Sequence, residues 1–144
     1  MIDASFTIAP ARDLVALDLW EGKLADLPID GLEPLQVEPR RWWLIAAPER
    51  IEAIRAALGD RGAVAPFGGG FVVATIAGDW RSLLSVGGFV DTERLPAGRV
   101  TSTVIHHVPV RIVRGEGEQC QVFLAASYAQ TLSDLWSRAG ATRG

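Results

Sequence analysis

The sequence has 144 residues, of which 49% are apolar, and a formal net charge of −3, values that suit a single domain with a sizeable core. The acidic pI near 5.3 argues against nucleic acid as a partner, and the single cysteine, Cys120, excludes an intrachain disulfide and a zinc site built from several thiolates. No apolar run approaches the roughly 20 residues of a membrane-spanning helix, and residues 1–13 lack a secretory pattern, so we expect a cytoplasmic protein that binds no membrane.

The first part of the chain predicts two strands separated by a connecting segment. Leu14–Trp20 carries most of its apolar side chains on one side, which is typical of a strand with one wetter face. Residues 21–41 contain prolines, glycines and many charges without a lasting period, and predict connecting chain. Trp42–Ala46 is a short unbroken apolar run, which favours a buried strand.

A predicted helix, a glycine-rich segment and a predicted strand follow. Pro48–Gly59 predicts a helix, because proline suits the first turn, its apolar residues share one face and glycine can cap the end. Phe71–Gly78 predicts a strand that is apolar on both faces. Gly68–Gly70 precede this strand, whereas a dinucleotide-binding loop needs its glycines after a strand, so we interpret them as a turn with positive φ angles.

The second half of the chain predicts a meander between two helices. Asp79 can cap a short helix through Leu84, which Gly87 and Gly88 end. Three consecutive strands follow, the last two joined by a GEGE turn; they cover Val100–His106, Val108–Arg114 and Gln119–Ala125. The closing helix is predicted to begin with a capping box from Ser127 to Gln130 and to carry an apolar stripe of Tyr128, Leu132, Leu135 and Trp136.

Together these elements predict an α+β fold, a mainly antiparallel sheet with helices packed on one face. The prediction is one domain over residues 1–144. Residues 1–13 and 140–144 are expected to be flexible.

The two adjacent histidines are the first candidate site. On a regular strand His106 and His107 point to opposite faces, so they cannot bind one ion unless a bulge intervenes. Pro109 cannot donate to a ladder and places the pair at a strand end or tight turn. The interpretation favoured here is a histidine pair that caps a hairpin, and no metal ligand is predicted.

The other candidates also favour structural roles. Cys120 shares a strand face with Val122 and Leu124, which indicates a buried thiol without an activating partner. Ser82 and Ser85 lie on a short helix with no histidine nearby in sequence. The glutamates of the GEGE turn, Glu116 and Glu118, are expected to be solvated, and the Trp42-Trp43 pair sends one ring to each face, which leaves one ring for a partner or a loop. The sequence therefore predicts no catalytic, cofactor-binding or metal residue.

The succession of motifs from Phe71 to Arg114 resembles the gamma subunit of heterotetrameric sarcosine oxidase. In that family a strand ending in glycine precedes a leucine-rich helix, an acidic residue, a PGR turn, a threonine-bearing strand and an HVPV strand start. The matching positions here are Gly78, Leu83, Leu84, Asp91, Pro96, Gly98, Arg99, Thr103 and His107 to Val110. Further matches over residues 14–139 are Pro39, Trp43, Leu44, Tyr128, Ala129, Leu135 and Trp136.

The chain also departs from the family pattern. Pro66 to Gly70 stand where the family commonly has a serine or aspartate with glycine and arginine, and Gly87-Gly88 occupy the region of a frequent cysteine. The segment between Trp20 and Trp42 is shorter than usual. These departures leave the amine that its complex oxidises open.

The resemblance implies part of the aminomethyltransferase folate-binding fold and a non-catalytic structural subunit of a flavin-dependent, tetrahydrofolate-linked sarcosine oxidase complex. It places FAD, FMN, NAD and tetrahydrofolate in larger partner subunits and no cofactor in this chain. Two alternatives stay open. The chain could be a stand-alone folate-binding protein, with Arg99 as the best candidate ligand, or an orphan interaction domain that self-associates when isolated.

Overall fold

The computed structural model describes residues 1–88, 90–96, 99–115 and 117–144. The fold is α+β, with two mostly antiparallel sheets and three α-helices in the described part of the chain. Its strands are β1 Ala4–Pro10, β2 Leu14–Leu19, β3 Leu35–Glu38, β4 Arg41–Ile45, β5 Gly62–Pro66, β6 Phe71–Gly78, β7 Val100–Ile105, β8 Val108–Arg114, β9 Gln119–Ala125 and β10 Thr142–Arg143. Its helices are α1 Pro48–Leu58, α2 Trp80–Leu84 and α3 Ala129–Arg138.

The chain divides into two compact units where the sequence predicts one sheet in one domain. The larger unit combines Met1–Ala11 with Gly70–Gly144, and the smaller unit is the continuous segment Arg12–Gly69. Each unit has its own sheet. The smaller unit is inserted in the chain between β1 and β6, which pair with each other. Within the described residues, no helix is long and apolar enough to cross a bilayer.

The larger unit is built on a six-stranded sheet in the order β10-β1-β6-β9-β8-β7. The register sets Phe6, Ile76 and Cys120 side by side, and all three are essentially inaccessible to solvent. The same core includes residues of α2 and α3, namely Trp80, Leu83, Leu84, Leu132 and Trp136. The predicted β7–β8–β9 meander is confirmed.

Both chain ends lie in this sheet, whereas the sequence predicts flexible ends. β1 pairs with β6 over its whole length and β10 pairs with β1 in parallel. The Gly144 N–H donates to the Phe6 carbonyl at 2.8 Å, and the Arg143 guanidinium donates to the buried Ser133 hydroxyl at 3.0 Å. The pairing of β1 with β10 and the Gly144–Phe6 bond join segments far apart in sequence, which local patterns do not reveal.

The smaller unit has a four-stranded sheet in the order β3-β4-β2-β5. The three buried residues of α1 pack in its core, as the helical periodicity predicts. That core contains Val15, Leu17, Leu19, Leu27, Leu44, Ala46, Ile51, Ile54, Leu58 and Val64.

The segment predicted as connecting chain holds β3 and a short 3₁₀ turn, Leu24–Asp26. Arginine side chains fix it to the rest of the unit. Arg40, at φ 67°, donates to the Leu19 and Gly22 carbonyls at 2.8 Å each. Arg50 donates to the Asp30 carbonyl at 2.8 Å. This segment is ordered by hydrogen bonds from side chains to backbone carbonyls, and such bonds leave no hydrophobic period in the sequence.

Two local predictions were wrong and three cannot be placed. Gly68–Gly70 form a 3₁₀ turn and do not adopt positive φ angles. The capping box is absent, because Ser127 lies inside the 3₁₀ turn Ala126–Tyr128, which runs directly into α3 without a side-chain cap. Parts of the predicted PGR and GEGE turns and of the α2 exit, at Gly98, Glu116 and Phe89, lie outside the described residues.

Candidate functional site

The two histidines form the whole loop of the β7–β8 hairpin. Ile105 pairs with Val108, so only His106 and His107 connect the strands. Their φ angles are 48° and 67°, and positive φ at both central positions is the signature of a type I′ turn. Both residues are exposed. The prediction of a hairpin end is confirmed.

The turn also brings the two imidazoles together. Their ring centroids are 5.8 Å apart and the ring planes meet at 53°. The expectation that the pair faces opposite directions assumed a regular strand, and it does not hold in a two-residue turn, where strand alternation no longer applies. Two adjacent imidazoles therefore share one exposed corner of the larger unit.

Two glycines hold this corner in place. The His106 N–H donates to the Gly87 carbonyl at 2.9 Å, and Gly88 forms an isolated antiparallel bridge with Ile105. Gly87 has a φ of 75°, and a Cβ atom added to it would lie 3.3 Å from the His106 Cβ. The glycines predicted to end α2 thus also let the chain run closely past the histidine turn.

Cys120 has the inert environment that its strand position predicts. It is fully buried, and burial raises the pKa of the thiol from 9.0 to about 12, against a smaller opposing effect of Arg81. The thiolate is the nucleophilic form of cysteine, so this side chain is not a nucleophile near neutral pH.

The short helix α2 carries polar contacts that are structural. The Asp79 carboxylate accepts from the Ser82 N–H at 3.2 Å as the predicted cap, and its hydrogen bonds to Ser82 lower the pKa of that carboxyl group. The Ser85 hydroxyl donates to the Arg81 carbonyl at 3.0 Å. Arg81 lies over the Trp80 ring at 4.3 Å, and its guanidinium is 4.0 Å from a carboxylate oxygen of the exposed Glu118. Both serines therefore support the helix, as expected.

The prediction that at least one ring of the Trp42-Trp43 pair is buried is confirmed, but the other ring is not exposed. Trp43 is 4% exposed and its ring centroid lies 5.0 Å from that of Phe67, while Trp42 is half-buried against the core of the smaller unit. The exposed indole is instead Trp20, directly after β2, with 66% of its surface accessible. The sequence signal for the exposure of Trp20 was its position at a strand end, next to Glu21 and Gly22.

Arg99 is exposed immediately before β7, with its neighbour Gly98 outside the described residues. In the described ranges, no group of three or more histidine, cysteine, aspartate or glutamate side chains is placed to share a metal ion.

Comparison with solved structures identifies the fold of this chain. No protein-family model matches the chain, and no curated protein matches it in sequence. A chain of heterotetrameric sarcosine oxidase from Corynebacterium sp. U-96 superposes with a TM-score of 0.67 at 18% identity, over 92% of this chain and 84% of that one. This chain has the fold of that sarcosine oxidase chain. The resemblance inferred from the sequence is thereby confirmed for the fold.

Two other solved structures are also similar. Aminomethyltransferase T of the glycine cleavage system from Bartonella henselae has a TM-score of 0.67 at 14% identity, and the match covers 99% of this chain but 48% of that one. This chain therefore spans about half the length of the aminomethyltransferase. A protein from Agrobacterium tumefaciens has a TM-score of 0.51 at 12% identity, over 100% of this chain and 94% of that one.

Proposed function

We propose that the chain is a non-catalytic structural subunit of a flavin-dependent, tetrahydrofolate-linked sarcosine oxidase complex, acting on an N-methyl amino acid in the cytoplasm. Larger partner subunits carry FAD, FMN, NAD and tetrahydrofolate, and this chain contributes by packing against them. Its role is to hold the flavin and folate subunits in their working arrangement.

One observation carries this proposal. The similarity to a chain of the heterotetrameric oxidase covers 92% of this chain and 84% of that one, so two chains of comparable length correspond almost throughout. The colinear motifs from Gly78 to Val110 support the same family. Because a permanent subunit hides apolar surface in its interfaces, exposed aromatic residues such as Trp20 and Tyr128 are the first places to look for contacts.

The test is purification from the native source. A tag is attached at Met1, whose side chain is fully exposed, and the eluate is examined by absorption spectroscopy and mass spectrometry. We expect larger subunits with a flavin spectrum to co-elute, and the eluate to oxidise sarcosine. The untagged strain provides the control for flavoproteins that bind the resin. A colourless chain that elutes alone contradicts the proposal.

A second candidate is an independent folate-binding protein, favoured by the similarity to the aminomethyltransferase. A pterin site needs an aromatic wall and a charged or polar anchor, and Arg99 is the exposed cation nearest to the predicted glycine turn. Titration of the isolated chain with tetrahydrofolate, followed by tryptophan fluorescence, tests it. A saturable change that Arg99→Ala abolishes supports this candidate, and the absence of any change removes it.

A further inference from the structure

We propose that His106 and His107 form a two-histidine site for a late first-row transition-metal ion. Divalent copper binds most tightly, and nickel and zinc bind more weakly. The site lies on the β7–β8 turn of the larger unit. It goes beyond the proposed function and does not depend on it, because the ligands belong to this chain alone.

The first argument is the distance between the rings. Metal–nitrogen bonds of imidazole are about 2.0–2.1 Å long, so the centres of two rings bound to one ion lie about 4.5 Å apart at a right N–metal–N angle and about 6.4 Å apart when the two nitrogens are opposite each other. The observed separation is 5.8 Å. Because both residues are exposed, small side-chain rotations can direct a nitrogen of each ring to one ion without displacing the core.

The second argument is the backbone conformation. The residues favoured in a type I′ turn are asparagine and glycine, which tolerate positive φ angles with little or no strain. Two consecutive histidines at φ 48° and 67° are therefore a costly choice for a turn that has only to join two strands. Strained backbone of this kind is concentrated at functional positions, and the particular residue type repeated here is an imidazole.

The third argument is preorganisation. The Gly87 carbonyl accepts the His106 N–H at 2.9 Å, and the Gly88–Ile105 bridge holds the same strand end. The turn is thus fixed from a second segment of the chain before any ion arrives, which reduces the entropy lost on binding.

The chemistry of the ligands selects the metal. Imidazole suits copper, nickel and zinc, while magnesium and calcium prefer oxygen ligands. Affinities for these ions increase from nickel to copper and decrease again at zinc. Since the described residues supply two ligands at this corner and no larger cluster, water occupies the remaining coordination positions.

The experiment uses the full chain without a histidine tag and with an acetylated N-terminus, since a free terminal amine also binds copper. Titration with copper(II) is followed by calorimetry and by electron paramagnetic resonance. We expect one ion per chain with two imidazole nitrogens in the spectrum. His106→Gln and His107→Gln should each weaken binding by at least about tenfold, since loss of even an outer partner of a metal ligand costs 10–100-fold.

Two further variants separate ligation from folding. His106→Asn with His107→Gly keeps the turn type while removing both ligands, and should abolish the copper signal in a chain that remains folded by circular dichroism. Gly87→Ala adds a Cβ atom 3.3 Å from the His106 Cβ at a position with positive φ, and should weaken binding with both ligands present. Gly117→Ala is the matched control, because Gly117 also has positive φ, 64°, but open space around it.

The proposal is overturned if the Asn-Gly variant binds copper as tightly as the wild-type chain. It is equally overturned if the spectrum of the bound ion contains fewer than two imidazole nitrogens. Loss of co-elution with flavin subunits leaves these outcomes unchanged, so the failure of the proposed function and the failure of this site can be distinguished.

Discussion

At the scale of single residues, the turn between β7 and β8 is where backbone conformation and residue type disagree most. His106 and His107 both adopt positive φ angles, which are uncommon for residues other than glycine, although asparagine, aspartate and histidine are enriched there. Histidine tolerates this region better than β-branched residues do, yet it still carries a strain that the rest of the hairpin must offset. This conflict makes a direct test of stability informative.

Replacing the pair by His106→Asn and His107→Gly should raise the free energy of unfolding by about 1–2 kcal/mol, because the strain of two left-handed positions is relieved. Urea denaturation of the two proteins measures the difference. Exchanging the residues, as His106→Gly with His107→Asn, serves as a second turn-compatible control. A less stable Asn-Gly variant would show that the histidines make stabilising contacts of their own.

Cys120 shows how burial lowers the reactivity of a thiol. Its pKa of about 12 means that the folded chain keeps the thiol proton well above the ordinary value of 9.0. We expect no reaction with a disulfide reagent at pH 8 in the native protein, and one thiol per chain after denaturation. Rapid labelling of the folded chain would contradict the burial of this side chain.

The same shift predicts a pH dependence of stability. Below 9.0 both states keep the thiol proton, and between 9.0 and about 12 only the unfolded chain releases it. The free energy of unfolding should therefore fall as the pH rises through this window. Cys120→Ala should remove this contribution to the slope, which denaturation curves at several alkaline pH values can measure.

At the scale of elements, the exit of β6 depends on a close approach of two backbones. Gly78 has a φ of 86°, and a Cβ atom there would lie 2.6 Å from the Asp3 carbonyl oxygen. The Asp79 N–H donates to that same carbonyl at 2.9 Å, so the contact that crowds Gly78 also begins the α2 region. A side chain at position 78 would separate β1 from β6.

Gly78→Ala should therefore destabilise the protein by about 2 kcal/mol or more, from the positive φ and the steric conflict together. Thermal denaturation followed by circular dichroism measures the loss. Gly69→Ala is the control, because Gly69 has neither a positive φ nor any atom within 4 Å of the added Cβ. Equal effects of the two substitutions would show that the close approach does not limit stability.

At the scale of the whole molecule, exposed apolar side chains are the first candidates for contacts within the proposed complex. Trp20 is 66% exposed, while its backbone N–H donates to the Arg61 carbonyl at 2.7 Å. An indole on a fixed backbone loses little conformational entropy on binding, and tryptophan is enriched among residues that dominate interface energies.

If the chain is a subunit of the proposed complex, Trp20→Ala should weaken association with the partner subunits by about tenfold or more, which corresponds to more than 1 kcal/mol. The stability of the isolated chain should change little, because the ring is exposed. Glu21→Ala is the neighbouring control. Co-purification yields and sedimentation of the reconstituted complex measure the effect, and unchanged association of the Trp20 variant would place this residue outside the interface.

The sequence by itself determined the elements whose signal is local. The period of Pro48–Gly59 identified α1, and the alternation and turn residues of the C-terminal half identified β7, β8 and β9. The buried state of Cys120 followed from its strand neighbours. In each case the residues that specify the structure are close in sequence, because they lie within one or two helical turns or within one hairpin.

The tertiary structure decided whatever depends on distant segments. β1 and β10 are strands because the two chain ends pair with each other and β1 also pairs with β6. β3 is ordered in a segment whose carbonyls accept bonds from Arg40 and Arg50. The division into two units depends on distant segments in the same way, and the adjacency of the two imidazoles depends on the register of the β7–β8 hairpin. Both depend on which strands pair and in which register, and those pairings are stabilised only when the whole chain has folded.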